Sequence, residues 1–73
     1  MKLFLQESKN GTEWQNAGVT FRGKKHASSY FDERFPTNSL LDWRVGLRLV
    51  TRYGCEDKPA THYRVVDKEG NEV

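Results

Sequence analysis

The chain predicts a small α+β domain, an antiparallel sheet of about four strands in the order β-β-α-β-β with one helix packed on one face. Three observations predict it. Between Trp43 and Tyr53 apolar residues recur at every second position with Arg44, Arg48 and Arg52 between them, the period of a strand with one greasy and one basic face. Ala27, Tyr30, Phe31 and Phe35 recur at spacings of three and four, the period of a helix. Asn10-Gly11 is the pair that a tight hairpin turn favours, because both residues tolerate positive φ.

The elements follow in order. Residues 2–7 read as a first strand, and Asn10-Gly11 sends the chain back into a second that starts near Thr12. A turn centred on those two residues sets Trp14 opposite Glu7 and Ala17 opposite Phe4, which scatters apolar residues over both faces. The register is therefore left open, with a bulge at Asn16-Ala17-Gly18 as the feature that corrects it. A helix runs from Lys24 to Phe35, where Pro36 ends it. Its charges oppose the helix dipole, Lys24 and Lys25 at the positive end and Asp32 and Glu33 near the negative end, so packing of its aromatics must hold it.

Residues 37–41 are a connector. Ser39-Leu40-Leu41-Asp42 also resembles a cap for a helix running to Tyr53, but Gly46 would then fall in the helix middle and the alternation Trp43, Val45, Leu47, Leu49 would be lost. A polar loop over 54–60 leads to a last strand at 61–67, and the tail from Asp67 to Val73 reads as a turn leading back to a short edge strand.

With 73 residues the chain holds one domain, and one this short buries only about 60% of the surface its unfolded form exposes. A composition of 36% hydrophobic and 30% charged residues is that of a globular chain, and its 12% aromatic content gives bulk to a thin core. Net stability of about 3–5 kcal/mol is the expectation at this size. Cys55 is the only cysteine, so no disulfide staples the fold within the chain, and a reducing, cytoplasmic setting is expected. Met1 to Glu7 lacks the apolar stretch of a signal peptide, and no run approaches the length needed to span a bilayer.

The net charge of +2 excludes a polyanion mimicking a phosphate backbone, and an obligate non-specific DNA binder is usually far more basic. The charges are nevertheless sorted. A hairpin of 43–53 with 61–67 places Tyr53 beside Thr61, Arg52 beside His62, Val50 beside Arg64 and Arg48 beside Val66. Arg44, Arg48, Arg52, His62 and Arg64 then share the face opposite Trp43, Val45, Leu47, Leu49, Tyr63 and Val65. Arginine stacks, binds carboxylate and phosphate bidentately and is enriched at interfaces, which makes this the candidate partner-binding face; a solvated sheet surface is the alternative. Arg22, Lys24 and Lys25 at the helix start form a second candidate, for an anion, again against the alternative of a solvated helix end.

No catalytic, metal or cofactor site is expected. Cys55 and His62 lack a third orienting or ligating group at a usual spacing, and Asp32-Glu33, adjacent on a helix, point about 100° apart and cannot flank one bond. Trp14, Phe21, Tyr30, Phe31, Phe35 and Trp43 are expected mainly in the core rather than as stacking platforms for bases. The Asn10-Gly11 hairpin leading to Trp14, and the closing Tyr63-Arg64-Val65-Val66-Asp67 with Gly70-Asn71-Glu72-Val73, resemble small bacteriophage or mobile-element accessory proteins, about a quarter of the chain carrying the likeness. That resemblance implies an inhibitor of a host or defence enzyme and carries over no individual residue. The expectation is a non-enzymatic protein-binding module, with a nucleic-acid-binding accessory domain using the same face plus Lys24 and Lys25 as the alternative.

Overall fold

In a computed structural model the described residues are 2–35, 43–51 and 61–73. They form β1 (Leu3–Ser8), β2 (Gln15–Phe21), α1 (Lys24–Arg34), β3 (Trp43–Val45), β4 (Arg48–Thr51) and β5 (Thr61–Val66). The strands make one sheet in the order β2-β1-β5-β4-β3, every pairing antiparallel. The class is the predicted one, a small α+β domain with a single helix on the sheet, but it has five strands rather than about four.

The extra strand comes from Gly46. The run read as one strand from Trp43 to Tyr53 folds as a hairpin, with Val45 paired to Arg48, Arg44 to Leu49 and Trp43 to Val50. Gly46 has φ +59 and Leu47 does not share a positive φ, the combination of a type II′ turn with glycine at its first central position. Such a turn inverts the parity of the alternation. Cross-strand partners share a face, and Val45 and Arg48 are an odd number of positions apart, so Trp43 and Val45 land on the side of Arg48. Arg44 is carried to the side of Leu49. The sequence reading placed Arg44 with Arg48, and Trp43 and Val45 in the core; the turn reverses all three assignments.

The β1–β2 connection is longer than the predicted two-residue turn. Glu7 pairs with Gln15, and between the end of β1 at Ser8 and the start of β2 at Gln15 residues 9–14 form a loop. The loop is built on two side chains: Ser8 Oγ accepts the N–H groups of Asn10 (3.3 Å) and Gly11 (2.8 Å), and Asn10 Oδ1 accepts those of Thr12 and Glu13, both at 3.0 Å. The expected bulge is present. Phe4 pairs with Thr20 but Gln6 with Asn16, so Ala17, Gly18 and Val19 together oppose Leu5, with Gly18 at φ +79.

The core lies between the sheet and α1, formed by Leu3, Leu5, Phe21, Ala27, Phe31, Leu49 and Val65, with Tyr30, Phe35, Leu47 and Tyr63 among the side chains packed on it. As predicted, Ala27 and Phe31 are the buried residues of the helix. The first turn holds no acid and Gly23 offers no capping side chain, so local terms give this helix little. Ring contacts hold it instead: Phe31 meets Tyr30 and Phe35, and Phe35 lies 4.7 Å from Tyr63 on the sheet.

Beyond β5 the tail turns at Asp67, whose Oδ1 accepts the N–H groups of Glu69 (2.9 Å) and Asn71 (3.0 Å). Val66 bridges to Glu72, and the Val73 N–H donates to the Val65 carbonyl at 3.1 Å. The predicted return to an edge is thus a single bridge, in line with β4, which pairs with the earlier part of β5.

Candidate interaction face

The ladders assign residues to the outer side of the sheet, away from α1. One row runs Trp43, Val50, His62, Ser8 across β3, β4, β5 and β1. The next runs Val45, Arg48, Arg64, Gln6, Asn16, with Arg48 facing Arg64 one step along the ladder from the Leu49–Tyr63 pair. The predicted hairpin register was two residues out, since Val50 meets His62 rather than Arg64. A shift of two preserves parity, which is why Arg48, His62 and Arg64 share one face as expected.

Trp14 organises this face. The 9–14 loop folds over the sheet, so close that a Cβ on Gly11 would stand 3.2 Å from His62 Cε1, and it lays the Trp14 indole among the basic residues. The Arg64 guanidinium carbon is 4.3 Å from the ring centroid and that of Arg48 is 5.5 Å away, while the His62 ring meets it edge-on at 6.5 Å. Arg64 is further held through Nε, which donates to Gln6 Oε1 at 2.8 Å, and Gln6 Nε2 in turn donates to Asn16 Oδ1 at 3.2 Å. Arg48 reaches Glu72 at 3.5 Å.

Beside this cluster, Trp43 is 50% and Val45 64% exposed, the exposed large hydrophobics among the described residues. With Leu47, Arg48, Glu72 and Val73 they line an open depression of about 370 Å³ at the end of the sheet. Edge strand β3 therefore presents an indole and an isopropyl group to solvent next to two guanidinium groups.

The other predicted residues lie elsewhere. Arg44 is on the helix side, bonded to Asp32, with Nη2 donating to Ser28 Oγ at 2.9 Å and its guanidinium 5.3 Å from the Phe31 ring centroid. It joins β3 to α1 and is removed from the candidate face. Arg52 and Cys55 lie outside the described residues. Lys24 and Lys25 line a separate open depression with Ser28 and Arg44 between the helix start and the β3–β4 turn. The Arg22 N–H donates to His26 Nδ1 at 3.1 Å, which ties a residue before the helix to its first turn.

Sequence reasoning missed Trp14, Trp43 and Val45 as surface residues, having placed them in the core. For the last two the signal was Gly46, weighed against a helix but not as a turn; for Trp14 it was the length of the loop. On the inner side, the Tyr63 hydroxyl is pushed above the ordinary tyrosine value of 10.0, first by burial and then by the charge of Glu7. Among the described residues no three His, Cys, Asp or Glu side chains gather as a metal site requires, and no helix is long and apolar enough to cross a membrane. Comparison with protein-family models, curated proteins and solved structures finds no match.

Proposed function

We propose that this chain is a small non-enzymatic binding protein that docks on another protein through the outer sheet face and modulates or inhibits it. One observation carries the reading: the exposed Trp43 and Val45 stand on the same face as Arg48, Arg64 and Trp14. Tryptophan and arginine are the residue types that dominate binding energy at protein interfaces, and a desolvated apolar patch rimmed by them is the usual anatomy. The resemblance to phage and mobile-element accessory proteins directs the proposal to a host or defence enzyme as partner, and the single cysteine to a reducing, cytoplasmic setting.

The nucleic-acid reading draws less support. It combined the arginine face with Lys24 and Lys25, but those lysines border the helix, on the opposite side of the sheet from Arg48 and Arg64. Trp14 is already covered by guanidinium groups, which leaves it a poor platform for bases.

The test is capture from lysate of a bacterial host, with and without nuclease treatment, comparing the native protein with Arg48→Ala plus Arg64→Ala, and with Lys24→Ala plus Lys25→Ala. A protein retained by the native and lysine variants but lost with the arginine variant, and with a shallow salt dependence, supports the reading. Retention that ignores the arginine variant, or that vanishes with nuclease, overturns it.

A further inference from the structure

Extended one step beyond the Leu49–Tyr63 pair, the β4–β5 register sets Arg48 opposite Arg64, and both guanidinium groups lie against the Trp14 ring, an arrangement that costs free energy because like charges across a ladder repel. The surroundings offset the cost and hold both groups in place. Arg64 is fixed by its Nε bond to Gln6 and by the Trp14 ring, and Arg48 by the same ring and by Glu72 at its outer end. Neither Nη of Arg64 bonds to a described residue, so among these residues the forked edge of a stacked guanidinium has no acceptor, and a second cation shares its ring. Orientation before binding lowers the entropy lost on capturing a two-oxygen acceptor.

Resting on the docking reading, we infer that the partner segment received here is acidic and apolar together, an extended stretch that sets one carboxylate on Arg48 and Arg64 and an aliphatic side chain in the depression beside Trp43 and Val45. Two features select a carboxylate on a peptide over a phosphate chain. The depression calls for an aliphatic group at a fixed distance from the charge, and Glu72 beside Arg48 repels a second phosphate while tolerating a single carboxylate. Spacing follows from the sheet. Strands lie about 4.8 Å apart, so the apolar position at Val45 is about 5 Å from the Arg48 strand and about 10 Å from that of Arg64. An extended chain rises about 3.3 Å per residue, which places the acid two or three residues from the aliphatic anchor.

The probe is a blocked peptide of sequence Gly-Leu-Ser-Glu-Ser-Gly, titrated to millimolar concentration while NMR follows the indole N–H signals of Trp14 and Trp43 and the Nε–H of Arg64. Saturable shifts at all three are expected in the native protein, weakened about tenfold when the peptide glutamate is replaced by glutamine; in the Arg48→Gln plus Arg64→Gln protein the two indole signals are expected to show the same weakening. Arg48→Gln alone is expected to leave the urea midpoint unchanged or raised, because it relieves the opposed charges; a lowered midpoint contradicts the strained pair. An equal response to the glutamine peptide, shifts confined to Lys24 and Lys25, no response at all, or tighter binding of hexathymidylate than of the peptide overturns the inference. Loss of the acidic preference alongside arginine-dependent capture of a protein removes this inference and leaves docking intact. Capture that ignores the arginines removes docking itself.

Discussion

Tyr63 shows how one side chain ties core to solution conditions. Its ring packs on Phe35, and it is paired across β1 and β5 with Glu7, whose negative charge acts on the hydroxyl. Burial and that charge both disfavour the phenolate, so the folded state holds the proton more tightly than the unfolded chain does. Below pH 10 both states are protonated and the contribution is complete; as pH rises past 10 toward the higher folded-state value, the unfolded state ionises first and stability falls. Urea midpoints measured at pH 9 and pH 11 are expected to drop across that interval, and Tyr63→Phe to flatten the drop. A variant with the same slope as the native protein would assign the alkaline loss to another group. At this scale the inner face was legible in the sequence, because Leu49, Tyr63 and Val65 keep the side that the alternation gave them. Trp14 was not legible, since its neighbours are set by a loop that crosses the sheet and no local period records that crossing.

Among the elements, the β3–β4 hairpin decides most. Gly46 at φ +59 is what turns Val45 onto the face of Arg48, so a side chain there is strained. Gly46→Ala is expected to cost about 1–3 kcal/mol in urea unfolding, and a chemically synthesised chain with D-alanine at this position to recover most of it. A second expectation separates fold from docking. Trp43 and Val45 are exposed on an edge strand, so Trp43→Ser with Val45→Thr is expected to change stability by no more than about 0.5–1 kcal/mol while abolishing retention of the partner. Unfolding of that variant, read by circular dichroism, would mean that the two residues serve the fold. The helix was legible because Ala27, Phe31 and Phe35 repeat at its period and are supported by packing. The hairpin was hidden because a two-residue turn leaves alternation visible on either side and changes only its phase.

For the molecule as a whole, a thin core means that few residues stand between the folded and unfolded states. Phe31 is fully buried and joins the helix to the sheet through Tyr30, Phe35 and the Arg44 guanidinium. Phe31→Ala is expected to remove about 3–5 kcal/mol, comparable to the entire stability of a domain of this size, and so to leave the chain largely unfolded at 25 °C. Phe31→Leu, losing far less volume, is expected to retain a cooperative but lower thermal transition; an alanine variant melting near the native temperature would show that the helix is dispensable. Fold class and helix position were legible because they follow from composition and period. The make-up of the outer sheet face followed only in part, because it depends on how strands lie side by side.

The bulge in β2 has a bearing on how these molecules behave when crowded. A foreign strand arriving at that border meets Ala17, Gly18 and Val19 bunched where a regular ladder needs a single residue, so it cannot zip along the full length. At the opposite border β3 spans only three residues. Both flanks are thereby poor templates for lateral stacking into fibrils, a safeguard that lets the protein keep greasy groups in the open without surrendering to its own copies.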